Sequence, residues 1–371
     1  MKKIAILLSA LLPLLAMGQR GNLPQQQAPS NPHNVIFVIG DGMGTAQVYS
    51  SIVAQKEDNS VFLQFPYTGF SRTYSHNRYT TDSGAGGTAL MTGRKVDNNH
   101  IGLTPQGTNA YSILTVAKET LGKSVGFVVT SSVLDATPAS TYGHVSDRKK
   151  FDSLSMQMAQ CGFDVMIGGG YKSFKSQNRT DGLAPIDTLA AHGYQLAFTT
   201  LDMMMLRSDK ICALLSDDGM PQAPERGRAL TLGTLKAIEV LSNNDNGFAL
   251  MVEGSQIDWA CHNNDSAYLA AEMADFEEML RAVLDFARRD GNTLVVVTAD
   301  HETGGLTLPN GNIEEGTNVM RWATSGHTGC MVPVFAYGPG AEQFAGIQQN
   351  TDFWAKIVAL LSQSTDSTKR K

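Results

Sequence analysis

Residues 34–44 read NVIFVIGDGMG: a largely apolar run from Asn34 to Ile39, then a glycine-rich turn that carries Asp41. A strand sandwiched between helices has no polar face, so it reads as a continuous run rather than an alternation. Similar runs recur at Ser124–Val129, Asp164–Ile167, Phe248–Val252, Thr293–Thr298 and Val332–Ala336. Helical patterns lie between them. The clearest spans Asp265–Arg289, with Leu269, Met273, Phe276, Leu280, Val283 and Ala287 on one stripe, charges opposite, and Gly291 as the stop. Asn109–Leu121, ahead of Gly122, and Arg226–Leu241 are two more. Strands alternating with helices predict an α/β fold with a large, mostly parallel central sheet and helices on both faces. That is a three-layer α/β/α arrangement.

The residues after each strand carry the functional signal. Asp41 follows Ile39, and the segment TSSVLDATPAS after Val129 holds Asp135 and Thr137. After Val252, EGSQIDWACHNND holds Glu253, Asp258 and His262; after Val297, TADHETGG holds Asp300 and His301. Open α/β sheets bind ligands beyond the carboxyl ends of their strands, so these four loops are expected to converge. Asp258 and His262 are four apart, which places both on one helical face. His327, in SGHTG, adds an imidazole just before the last strand. Mixed carboxylate and imidazole sets suit zinc, and the all-oxygen set Asp41, Thr137 and Glu253 suits magnesium. Each residue taken singly has an ordinary structural reading. Their recurrence at successive strand ends does not.

A second stretch, TTDSGAGGTAL (Thr80–Leu90), places Ser83 directly after Asp82 and keeps the following backbone uncovered. Small residues let a bulky charged group approach the main chain. A serine at the start of a helix would present its hydroxyl and the first free amides to one anion.

Composition bounds the rest. The chain has 371 residues, 42% of them hydrophobic, and 29 basic against 35 acidic side chains give a formal charge of −6. No basic block tracks a phosphate backbone, so nucleic acid is not an expected partner. Residues 1–18 read as a secretory signal peptide: Lys2 and Lys3, the apolar run Ile4–Leu15, then Ala16-Met17-Gly18. That run is short for a bilayer, so no stable membrane insertion is expected, and the mature chain is read as exported, to the periplasm. Residues 19–33 read as a flexible tether and 34–371 as a single catalytic domain. Cys161, Cys212, Cys261 and Cys330 leave three full disulfide pairings or free thiols open.

The motifs IGDGMG, TDSGAGGTA, LDATPAS, HVSDRK, VEGSQID with His262, TADHE, and GHTG with YGPGA stand in one order from about Asn34 to Gly338. In that order the chain resembles the alkaline phosphatases. The resemblance implies that Asp41, Asp300 and His301 hold the zinc that binds the nucleophile, and that Asp258, His262 and His327 hold a second zinc. It makes Asp41, Thr137 and Glu253 the magnesium site. Ser83 matches the serine nucleophile and Arg148 the arginine that clamps two phosphate oxygens, with Asp82 and Asp135 as supporting acids. The substrates implied are small phosphate monoesters, and a homodimer is an admissible assembly.

Two departures stand out. Thr303 occupies a position where relatives often carry histidine, which changes one hydrogen bond behind the metals. Trp259 occupies the position after the zinc aspartate where relatives carry lysine or histidine. Only 25 residues separate His301 from His327, too few for the insertions that crown vertebrate relatives. Diesterases of the superfamily use a threonine nucleophile without the arginine. Sulfatases need a Cys/Ser-x-Pro-x-Arg motif, which Ser83-Gly84-Ala85 is not. A catalytically silent metal- or phosphate-binding protein would not need an intact nucleophile. Two zinc ions about 4 Å apart can hold the attacking and leaving oxygens of an in-line displacement. Three divalent ions set against Asp41, Glu253, Asp258 and Asp300, with Arg148 added, leave a cationic pocket suited to a dianionic ester.

Overall fold

The computed structural model describes residues 31–56 and 59–368. Residues 1–18, read above as a signal peptide, most of 19–33, read as a tether, and the terminal Lys-Arg-Lys lie outside them. Its strands are β1 (Asn34–Gly40), β2 (Tyr67–Arg72), β3 (Ser124–Ser132), β4 (Val165–Gly169), β5 (Gln195–Ala197), β6 (Ile211–Leu214) and β7 (Phe248–Gly254). They continue with β8 (Thr293–Thr298), β9 (Glu302–Thr303), β10 (Thr307–Asn312), β11 (Thr317–Arg321), β12 (His327–Thr328), β13 (Val332–Tyr337) and β14 (Gly346–Gln349). Ten of them form one sheet in the order β14-β2-β13-β8-β1-β7-β3-β4-β6-β5. From β8 to β5 every pairing is parallel; β13 alone runs against its neighbours, β8 and β2. The expected large, mostly parallel sheet is therefore the fold.

The central strand shows why the apolar run is continuous. All seven residues of β1 are buried, and the pleat sends them alternately to two cores. Val35, Phe37 and Ile39 join the core beneath the helices Ile113–Glu119, Phe151–Gln160 and Asp352–Thr368. Ile36 and Val38 join the core beneath Thr45–Ala54, Ala229–Leu241 and Ser266–Asp290. Each fully buried Val, Ile or Phe side chain contributes about 1.5–3 kcal/mol over exposure, so both faces hold the sheet.

Several boundaries differ from the sequence reading. The helix expected over Asn109–Leu121 runs only Ile113–Glu119, because Ser112 caps it: its Oγ accepts from the Thr115 amide at 3.0 Å. The helix expected over Arg226–Leu241 is broken at Gly227, φ 55°, into Ala223–Arg226 and Ala229–Leu241. The long helix is Ser266–Asp290, capped by Asp265 and closed by Gly291 at φ 70°. β2, β5, β6, β14 and the helix Asp352–Thr368 were not anticipated. All four cysteines are free thiols, Cys212 and Cys261 buried and Cys330 exposed. No helix among the described residues is long and apolar enough to cross a membrane.

Candidate active site

β8, β1, β7 and β3 are sequential neighbours and parallel, so their carboxyl ends share one edge of the sheet. Asp41 leaves β1 with its amide donating to the Gly254 carbonyl at 3.2 Å. Glu253 sits at the end of β7, in register with Ile39 and Val129. Asp300 and His301 follow β8; both are fully buried. The four loops do converge.

Ser83 opens a ten-residue helix that lies against this edge. Asp82 is its cap: Oδ1 accepts from the Ala85 amide at 3.0 Å, while Oδ2 accepts from the Asn99 amide at 2.9 Å. The helix is wedged. A methyl group at Gly86 would stand 3.0 Å from the Asp300 carbonyl oxygen, and one at Gly87 would stand 3.3 Å from the Thr137 Cα. The small residues of TDSGAGGTA are there for thickness. Ser83, itself buried, presents Oγ 3.2 Å from His301 Nε2.

Around that atom the acceptors crowd. His301 Nε2 is 3.2 Å from Asp300 Oδ2 and 3.5 Å from Asp41 Oδ1. Neither contact has hydrogen-bond geometry, and both carboxylate oxygens are buried without a donor, as is Glu253 Oε2. Several acceptors aimed at a shared point without protons between them fit a cation. Donor atoms of Asp41, Asp258 and His301 lie within 4.8 Å of one another, as do those of Asp258, His262 and His327. In the second set Asp258 Oδ2 is 3.3 Å from His262 Nε2, and the two histidine Nε2 atoms are 3.1 Å apart. The other ring nitrogens are anchored by the Ser325 and Thr81 carbonyls, at 2.5 and 2.9 Å, leaving Nε2 of each for the centre. The all-oxygen set is also assembled: Thr137 Oγ1 donates to Asp41 Oδ2 at 3.5 Å. Asp41 thus touches two of the three groups.

Burial and mutual repulsion govern the charges. Burial first, then Asp300 and Asp258, drive the Asp41 carboxyl well above its ordinary range. Burial does the same to Glu253, and lifts Asp300 to about 7. Burial also opposes the Asp258 charge, but the His262 hydrogen bond and the surrounding imidazoles outweigh it and hold Asp258 at about 2. His262, bonded to Asp258, rises to about 9, while burial pushes His301 well below 6.5. A cluster this acidic and this dry calls for positive charge.

Arg148 comes in from the side, its Nη1 3.5 Å from Asp82 Oδ2, with its amide held by the Asn99 carbonyl at 2.8 Å. Asp135 stands just before the four-residue helix Ala136–Ala139 that carries Thr137, without a side-chain cap bond, and burial raises its carboxyl while Arg148 opposes that. Trp259, on the helix Gln256–His262 beside Asp258, is half-buried, with its ring edge over Gly219. Thr303 is a departure in identity more than in bonding. Its Oγ1 donates to Asp258 Oδ1 at 2.6 Å and meets His301 Nδ1 at 3.2 Å, so it braces both histidine–carboxylate sets. Glu302 was not singled out from the sequence. Its Oε1 accepts from Gln47 Nε2 at 3.0 Å and its Oε2 bonds the Thr328 hydroxyl, which pins the β9–β12 pair that contains His327 and directly follows His301. A buried acid inside TADHE was the available signal.

Residues 32–320 match the family model described as alkaline phosphatase. The chain belongs to the alkaline phosphatase family. Alkaline phosphatase 3 of Bacillus subtilis is 32% identical, with 96% of each chain covered. Alkaline phosphatase of Escherichia coli is 30% identical over 88% of this chain and 86% of its own. The solved alkaline phosphatase of the Antarctic bacterium TAB5 superposes with a TM-score of 0.84 at 38% identity, covering 90% of this chain and 99% of that one. As an alkaline phosphatase, the protein is a metal-binding hydrolase of small phosphate esters.

Proposed function

We propose that this alkaline phosphatase hydrolyses phosphate monoesters through a covalent phosphoserine on Ser83, with two zinc ions and one magnesium ion. Asp41, Asp300 and His301 would hold the ion beside Ser83 Oγ, Asp258, His262 and His327 the second zinc, and Asp41, Thr137 and Glu253 the magnesium. Bound there, the ions would supply positive charge to the attacking oxygen, the leaving oxygen and the phosphoryl group. Ser83 Oγ attacks phosphorus and the alcohol departs; water then cleaves the phosphoserine, returning the serine hydroxyl and inorganic phosphate. Free amides at the helix start and the Arg148 fork bind the other phosphoryl oxygens. Asp82 positions both, since it caps the helix and faces the guanidinium. In support, a variant of the TAB5 enzyme has been solved with magnesium in its M3 site.

The observation that carries this reading is the buried Ser83 Oγ, 3.2 Å from His301 Nε2, beside carboxylate oxygens that lack donors. Elemental analysis of the purified protein, with rates on a monoester, a diester and a sulfate ester of one aryl alcohol, tests it. A monoester preference with about two zinc and one magnesium per chain is expected. A diester preference would overturn it. Export by a signal peptide over residues 1–18, a tether over 19–33, one catalytic domain over 34–371 and periplasmic residence belong to the same proposal.

Two substitutions probe the pocket. A guanidinium reads two unesterified oxygens, which a diester lacks, so Arg148→Ser should lower kcat/KM more for monoesters than for diesters, by about tenfold or more. Equal losses would place Arg148 away from the phosphate. Trp259 offers an indole N–H but no charge where relatives carry a cation. Trp259→Lys should tighten inhibition by inorganic phosphate and slow turnover at alkaline pH, with zinc content unchanged. Unchanged inhibition with a lower Tm would make Trp259 a packing residue over Gly219.

A further inference from the structure

A cavity of about 660 Å³ opens where the nucleophile helix ends at Gly93, walled on its other side by residues 104–110. His76, Arg94 and Lys95 line it, with Thr104, Asn109 and Thr351. Arg94 is exposed, and among the described residues it has no hydrogen-bond or ion-pair partner. Lys95 is half-buried: its Nζ donates to the Tyr74 carbonyl and lies 3.8 Å above the Tyr74 ring. Burial and then Arg72 pull the Lys95 ammonium down to about 8, with Asp352 opposing. The nearby acids are engaged elsewhere. Asp97 Oδ1 is 2.7 Å from His76 Nδ1, and Asp352 Oδ2 accepts from the Gln349 amide at 2.9 Å. Two cations line one cavity, one of them partly desolvated, and among the described residues neither forms an ion pair. The negative end of the helix opposes anion binding there, but its roughly half charge is smaller than two full positive charges.

We propose that this cavity is a second anion site, separate from the catalytic centre, where Arg94 and Lys95 bind inorganic phosphate or the phosphate group of a small solute. The segment beyond Lys95 connects it to the reaction. Asn98 Oδ1 accepts from the Asp82 amide at 3.4 Å, and the Asn99 amide donates to Asp82 Oδ2 at 2.9 Å.

Equilibrium dialysis of the metal-loaded enzyme against labelled inorganic phosphate tests this. Two sites per chain are expected. Arg94→Gln and Lys95→Met should each weaken the second about tenfold while leaving kcat/KM for an aryl phosphate unchanged. Should Lys95→Met fail to fold, the exposed Arg94 position carries the test. One phosphate per chain, displaced by substrate, is the catalytic site alone and overturns the proposal without touching the phosphatase reading. Two sites unaltered in Arg94→Gln overturn it as well. A sugar phosphate competing at the second site as strongly as phosphate would identify a solute site, and competition by phosphate alone a product site.

Discussion

Ser83→Ala is expected to lower monoester turnover by about 10⁴-fold with metal content unchanged, because it removes the nucleophile and little else. The helix keeps its cap, since that bond comes from Asp82 and not from Ser83. The only side-chain hydrogen bond described for Ser83 Oγ is to His301 Nε2, whose other nitrogen is braced by Thr303. Acid quenching of the wild-type enzyme with labelled substrate should leave phosphate on Ser83. Label on another residue, or none, would sink the covalent mechanism.

Metal removal should make stability fall as pH rises. In the stripped protein Asp41, Glu253 and Asp300 hold protons that the unfolded chain releases near pH 4, Asp300 up to about 7. A raised folded pKa means stability present at low pH and lost as pH rises through that pKa. His262, raised to about 9, adds to the same slope; His301, lowered, opposes it only below about 6.5. Between pH 6.5 and 9 the chelated protein should therefore lose stability steadily, whereas bound cations offset the carboxylates and flatten the curve. Tm of chelated and loaded protein at the two pH values measures it. A chelated Tm that is flat or rises with pH would refute the account.

Fold and site were legible to different depths. The strands of the central sheet announced themselves because both faces are buried, as in β1, β7 and β8. β2 did not, because YTGFSR lies near the sheet edge with four of its six residues exposed. β5 and β6, of three and four residues, are shorter than any reliable period. The metal-type residues were readable from their place after successive strands. What the spacing could not show is which oxygens face one another. The bond from Thr303 to Asp258 and the pinning of β9 to β12 by Glu302 arise from tertiary contacts across 45 and 26 residues.

The wedged helix has a consequence for engineering. Its thickness at Gly86 and Gly87 sets the gap between the Asp300 loop and the Thr137 turn, so it acts as a gauge block between two ligand-bearing walls. A variant library that randomises positions 84, 86 and 87 would mostly yield mis-spaced enzymes, since a methyl at each would stand within 3.0 to 3.3 Å of main-chain atoms of a neighbouring segment. The mouth is built differently. His262 is anchored there by the Ser325 carbonyl, and Thr324 to Gly326 are surface residues held by loop hydrogen bonds. Selection for new leaving groups belongs on the side chains of Thr324 and Ser325, since the hold on His262 comes from the Ser325 main-chain carbonyl.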